Sequence, residues 1–216
     1  MTAPARNVTD VADDIPMFPL GTVLLPGGHL PLQVFELRYR RLVEACLDGE
    51  SEFGVVLIER GSEVGGGDRR FDVGCVARIV SAVQLDGGRW LLSTAGTRRF
   101  RVVRWLPDAP YPRAEVEPWD DPSPGLGSAE RRSVTLTALR RVLAMAAEMG
   151  EWVADATTPV EDDPVLASYQ MAALAPLGEL DRLDLLAAPS PDDRLDRLAR
   201  LLEEEASVLA SRLEGG

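Results

Sequence analysis

Residues 18–36, FPLGTVLLPGGHLPLQVFE, are apolar along most of their length. Yet Pro19, Pro26, Pro31, Gly21, Gly27 and Gly28 cut the run into pieces. One helix cannot hold it, because an interior proline removes a backbone donor and clashes with the preceding turn. A membrane span wants about 20 consecutive apolar residues without breakers. Nor does it read as a signal peptide: Asp10, Asp13 and Asp14 precede it, and no small-residue cleavage site follows an unbroken apolar core. Short strands separated by turns remain. Residues 15–18 and 30–35 read as edge or bulged strands.

The same β character continues to about Trp119. Residues 36–47 intervene as a helix, with Leu37, Tyr39 or Arg40, Leu42, Val43 and Cys46 on its buried face and Arg38, Arg41 and Glu44 on the wet one. FGVVLIE (53–59) reads as a buried strand and SEVGGGDRR (62–70) as a flexible loop. VGCVARIVSAVQL and RWLLSTAG flank Asp86-Gly87-Gly88, a strong hairpin signal. RRFRVVRW (98–105) reads as a further strand, and RAEVEP (113–118) as one more.

The composition then changes. DDPSPGLGS (120–128) has the proline, glycine and serine content of a linker. Beyond it every segment reads as helix. Residues 130–149 carry Val134, Leu136, Leu139, Val142, Leu143 and Ala146 as apolar positions. Asp163-Pro164 places an N-cap before a proline at the first helical position, so a helix runs to about Ala175. Residues 180–186 form a short helix. Ser190-Pro191-Asp192-Asp193 has capping-box form and opens a long helix striped by Leu195, Leu198, Leu202, Leu209 and Leu213. The expected organisation is a flexible N-terminus (1–14), a β-rich unit (15–119), a linker (120–128) and a helical unit (129–213). Segregated strands and helices mean α+β, without the alternation of a doubly wound nucleotide fold.

Several chemistries are excluded by what the chain lacks. Its 216 residues can bury a real core. All 23 basic residues are arginine, against 35 acidic ones, for a net charge of −12. Without lysine there is no Walker A lysine, no Ser–Lys dyad and no Schiff base. No G-x-S-x-G elbow is present. His29 is the one histidine and sits in a turn-rich stretch. Cys46 and Cys75 are far apart and belong to no CxxC, so they make neither a disulfide framework nor a zinc site. No metal and no cofactor are expected, and the reduced thiols fit a cytoplasmic chain. Trp90, Trp105, Trp119 and Trp152 read as packing anchors.

Nucleic acid is an alternative partner. TRRFRVVRW sets Arg99 and Arg101 on one strand face and Phe100 and Val102 on the other, with Arg98, Arg104 and Trp105 close by. Arginine interleaved with aromatics can bind RNA. Against the acidic balance of the chain, the favoured reading is a solvated outer face over a buried Phe/Val face. A third reading, an undescribed enzyme, would need His29 or a buried carboxylate in a deep polar pocket.

Several ordered blocks carry a family resemblance. FPLGTVLLPGGHLPLQVFELRYRRLVEACL resembles the opening of the Lon protease N-terminal domain, with Phe35, Glu36, Arg38 and Tyr39 matching its FE-x-RY motif. Gly74, Ala77, Arg78, Ile79, Gly96, Arg99 and Phe100 match its second block, and LAPLGELDRLDLLAAPSPDDRLDRLARLL resembles its helices. The likeness covers about residues 15–213. It implies a PUA-like twisted β pseudo-barrel followed by an α-helical subdomain, with the broken apolar run as the first barrel strands. It also implies the recognition part of such a protease without ATPase or peptidase modules: a non-enzymatic module that would act as an adaptor in protein quality control. Its partners would be unfolded or apolar polypeptide, with protease or chaperone components beside it. Phe35, Glu36, Arg38 and Tyr39 are then binding candidates. Their competing role is structural, with Phe35 in the barrel core and Arg38 and Tyr39 fixing the helix to the sheet.

Overall fold

The computed structural model describes residues 13–60 and 69–214. Among the described residues there are six strands and five α-helices, one helix among the strands and four after them. The strands are β1 (Asp13–Leu20), β2 (His29–Val34), β3 (Glu52–Arg60), β4 (Arg69–Leu85), β5 (Arg89–Leu106) and β6 (Arg113–Pro118). Helix α1 (Leu37–Leu47) lies between β2 and β3. Helices α2 (Ser128–Glu148), α3 (Pro164–Leu174), α4 (Glu179–Leu186) and α5 (Pro191–Glu214) complete the chain. The fold is α+β, as the segregated sequence pattern implies.

The strands lie in the order β2-β5-β4-β3-β1-β6, and β6 also pairs with β5. That last pairing closes β1, β3, β4, β5 and β6 into a ring. The ring is uneven. β1 and β3 run parallel, with Met17 opposite Gly54 and Leu20 opposite Leu57, whereas the other pairs are antiparallel. β2 stays outside the ring, on the first half of β5.

Closure leaves little room inside. Met17, Val56, Val76, Phe100, Ala114 and Val116 form one buried cluster. Gly54 and Gly74 belong to this tight region: a Cβ on Gly74 would lie 2.3 Å from the Val55 carbonyl oxygen and 2.5 Å from Phe100 Cζ. Met17 and the apolar opening run that follows it therefore serve all three buried clusters, Leu25 reaching the one formed with the helices. Met17 joins the ring interior, while Phe18, Leu20, Leu24 and Val34 join Tyr39, Leu42, Val43 and Cys46 of α1. The helices bury a third cluster, with Leu139, Leu143, Met171, Leu185, Leu195 and Leu202 among its fully buried members.

Some local expectations change. The strand expected at 98–105 is the second half of β5. Gly96 allows the chain to stay extended where a break was read: it exchanges backbone hydrogen bonds with Gly27 and Gly28, and a Cβ there would lie 2.2 Å from the Leu25 carbonyl oxygen. β1 starts at Asp13, held by pairing with β6, inside the stretch read as a flexible terminus; residues 1–12 lie outside the described residues. Most of the loop expected at 62–70 also lies outside them, and Arg69 and Arg70 already belong to β4. Leu37, Val134, Leu213 and Trp152 are exposed rather than packed. Trp152 follows the left-handed Gly150 that ends α2, where the chain has already turned away from the core.

The helix caps follow their sequence signals. The Asp163 side chain accepts from the Leu166 amide at 2.9 Å, with Pro164 in the first turn. The Asp193 amide donates to Ser190 Oγ at 3.1 Å, so Ser190 starts α5.

Candidate functional site

The FE-x-RY motif forms the corner where β2 turns into α1. Glu36 is extended and caps the helix, its carbonyl accepting from the Arg40 amide at 2.9 Å. Helical spacing then separates the motif. Tyr39 points into the core, 3% exposed, and stacks on Phe18 with ring centroids 4.0 Å apart and planes 9° from parallel. Arg38 lies over the Tyr39 ring at 4.4 Å and donates from Nε to Glu36 Oε2 at 3.1 Å. These contacts hold Arg38 and Tyr39 at the joint between α1 and the sheet. Phe35 does not share them. Its ring is 57% exposed, and Leu37 beside it is 65% exposed. Phe35 continues the outward parity of β2, so its side chain cannot enter the ring interior.

A groove of about 220 Å³ runs along this corner. Phe18, Leu20, Leu32, Val34, Phe35 and Tyr39 supply its apolar lining. Its one carboxylate, Glu36, is neutralised by Arg38. Two large exposed side chains beside a small, partly apolar groove can hold an apolar segment without needing a specific charge. The apolar character of Phe18, Leu20, Leu32 and Leu37 is plain in the sequence. That they meet at one corner comes from the β1–β3 and β2–β5 pairings.

The four arginines considered for RNA do not form one solvated strip. Arg99 is 2% exposed. It donates from Nε to the Trp119 carbonyl at 2.9 Å, from Nη1 to the Leu186 and Ala188 carbonyls at 2.8 and 2.6 Å, and from Nη2 to Asp121 at 2.9 Å. The outer-face assignment of Arg99 is therefore corrected. The strand face it occupies is covered by the helical block. Arg98 pairs with Glu52 at 2.7 Å, Arg104 pairs with Glu115, and Arg101 lies 3.5 Å from the Trp119 ring centroid. Burial pushes the Glu52 carboxyl up, but hydrogen bonds and charge from Arg98 and Arg78 outweigh it and hold the group below its ordinary value.

Asp121, in the stretch read as a linker, is the centre of this buried network. It accepts from Arg99, from Arg194 at 2.8 Å and from the Tyr169 hydroxyl at 2.6 Å. Burial lowers the Arg99 pKa from its ordinary value and raises that of Tyr169. Sequence spacing gives no sign of this cluster, since its members come from β5, the segment before α2, α3 and α5.

The other reactive groups are quiet. His29 Nε2 shares a hydrogen bond of 2.7 Å with Ser93 Oγ on an exposed surface. Cys46 and Cys75 are buried free thiols, and burial pushes both up to about 12. Among the described residues no group of three His, Cys, Asp or Glu could hold a metal ion. No described helix is long and apolar enough to cross a membrane.

Comparison with known proteins places this geometry. Residues 14–204 match the family model of the ATP-dependent protease La (LON) substrate-binding domain. The structure is similar to that of a Lon N-terminal domain protein from Xanthomonas campestris, with a TM-score of 0.60, 32% identity, and coverage of 86% of this chain and 96% of that one. The N-terminal domain of Mycobacterium avium complex Lon protease shares the fold at a TM-score of 0.62 and 21% identity, covering 90% of this chain and 98% of that one. In sequence, Lon protease 2 of Herpetosiphon aurantiacus is 29% identical over 91% of this chain but only 24% of its own length. Lon protease 2 of Myxococcus xanthus is 33% identical over 53% of this chain and 14% of its own length. The chain thus spans about a quarter or less of these two full-length relatives. Because the match of residues 14–204 takes in most of its length, the chain belongs to the Lon substrate-binding domain family.

Proposed function

We propose that this chain is a non-enzymatic polypeptide-recognition module that captures exposed apolar segments of unfolded proteins in the cytoplasm. It would serve as an adaptor beside protease or chaperone components. The observation that carries this reading is the corner of exposed Phe35 and Leu37 beside the partly apolar 220 Å³ groove. Both residues lie within the stretch that matches the substrate-binding family. The absence of lysine supports the non-enzymatic part, because neither a Walker A lysine nor a Ser–Lys dyad can be built from this chain.

The test is equilibrium binding of a fluorescently labelled, reduced and permanently unfolded protein, with its folded form as control. The wild type should bind the unfolded form and ignore the folded one. A Phe35→Ser/Leu37→Ser variant should keep its fold and lose about tenfold in affinity, since burying two large apolar side chains is worth more than about 1.4 kcal/mol. Equal binding by the variant would remove the corner from the reading, and no binding by the wild type would remove the reading.

A further inference from the structure

Every described strand except β2 has neighbours on both sides. β1 lies between β3 and β6, β3 between β1 and β4, β4 between β3 and β5, and the ring closes through β5 and β6. Among the described residues β2 alone has a single partner, β5. Beyond that ladder its backbone receives one further hydrogen bond, from Thr94 Oγ1 to the Leu30 carbonyl at 2.7 Å. An open edge is a row of unpaired donors and acceptors that another extended chain can complete. Pro31 shortens the row, because it has no amide hydrogen. The groove of the candidate site runs along this strand, with Leu32 and Val34 in its wall and Phe35 at its end.

The charge at one end of β2 is specific. Val34, the last residue of β2, pairs with Trp90. Two residues before Trp90, the Arg40 guanidinium fills the space where a Gly88 side chain would stand: a Cβ there would lie 1.8 Å from Arg40 Nη2. Arg40 has no carboxylate or other acceptor among the described residues, and its Nε is buried without a partner, as is Nε1 of Trp90. In a chain of net charge −12 whose arginines mostly face carboxylates, this cation has no ion-pair partner among the described residues. Glu36 cannot compensate it, because it is held by Arg38.

We infer that the open edge of β2 takes an extended polypeptide segment as an added strand, its apolar residues in the groove and an acidic residue facing Arg40. This inference rests on the polypeptide-recognition reading and specifies how the segment is held. Backbone pairing supplies affinity that is indifferent to sequence, the groove selects apolar side chains at alternate positions, and Arg40 sets the end of the register.

Backbone-modified peptides separate the parts. The probe is a fluorescein-labelled peptide of alternating valine and threonine ending in glutamate, measured by anisotropy. Its partners are the same peptide N-methylated at one or the other set of alternate residues, and a version ending in glutamine. Methylation of the set that faces β2 should weaken binding by about tenfold or more, while methylation of the other set changes little. The glutamate peptide should bind about tenfold better than the glutamine one, and Arg40→Gln should erase that difference. Equal binding of all methylated forms overturns the added strand and leaves apolar recognition standing. Binding of the unfolded protein without binding of any peptide does the same. Loss of binding to the unfolded protein as well would instead bring down the broader reading.

Discussion

Arg99 of β5 and Arg194 of α5 donate to the same oxygen, Oδ1 of Asp121, at 2.9 and 2.8 Å. Both guanidiniums are buried, and one carboxylate serves both. Backbone carbonyls and Ser168 Oγ satisfy further donors, so this lock between ring and helices consists of hydrogen bonds as much as charge. Removing the carboxylate leaves two buried cations facing each other. Asp121→Asn should destabilise the protein by about 3–5 kcal/mol. Urea unfolding followed by tryptophan fluorescence reads the loss directly. A change below about 1 kcal/mol would mean that the carbonyls alone hold the two arginines.

Glu52 joins Arg78 and Arg98 across β3, β4 and β5. Its pKa is lower folded than unfolded. Its contribution to stability is therefore fully present above the unfolded value, near 4.3, and is lost as pH falls through the folded value. Glu52→Gln should lower Tm at pH 7 and leave a flatter decline of Tm below about pH 4.3. Parallel acid limbs in mutant and wild type would remove this residue from the acid response.

Both thiols report on the one core that α1 shares with the sheet. Cys46 donates to the Glu52 carbonyl at 3.2 Å, and with both thiols raised to about 12 there is little thiolate at neutral pH. The native protein should show no rapid reaction with a thiol reagent such as DTNB. In denaturant both cysteines should react at once. Fast modification of either in the native state would place it in a locally open segment.

Glycine is required at Gly74 by space and at Gly87 only by backbone angle. Gly74→Ala puts a methyl group against a carbonyl and the Phe100 ring, and should cost about 3 kcal/mol. Gly87 has φ +76 with nothing within 4 Å of a new Cβ, so Gly87→Ala should cost only about 1 kcal/mol. Chemical denaturation of the two variants gives the order, and a reversal would contradict the packing described for the ring.

The order of elements could be read along the chain because it depends on local chemistry. Prolines and glycines broke the opening run into strands, Asp86-Gly87-Gly88 turned β4 into β5, and Asp163-Pro164 and Ser190-Pro191 started helices where caps require them. The α+β class and the family followed from that order and from the spaced motif residues. The fates of individual side chains did not. Phe35 and Leu37 look like core residues in sequence, and Arg99 looks like a surface cation. Whether a side chain is buried depends on which distant surface arrives opposite it, and no local rule carries that information. The pairing of β5 with β6 closed the ring, β2 on the other half of β5 kept one open edge, and the outward parity of β2 put Phe35 in solvent beside the groove. The docking of α4 and α5 buried Arg99 and drew Asp121 out of an apparent linker into the centre of a buried arginine network. Local chemistry determined the elements and their kind. Tertiary packing alone decided which residues are free to bind.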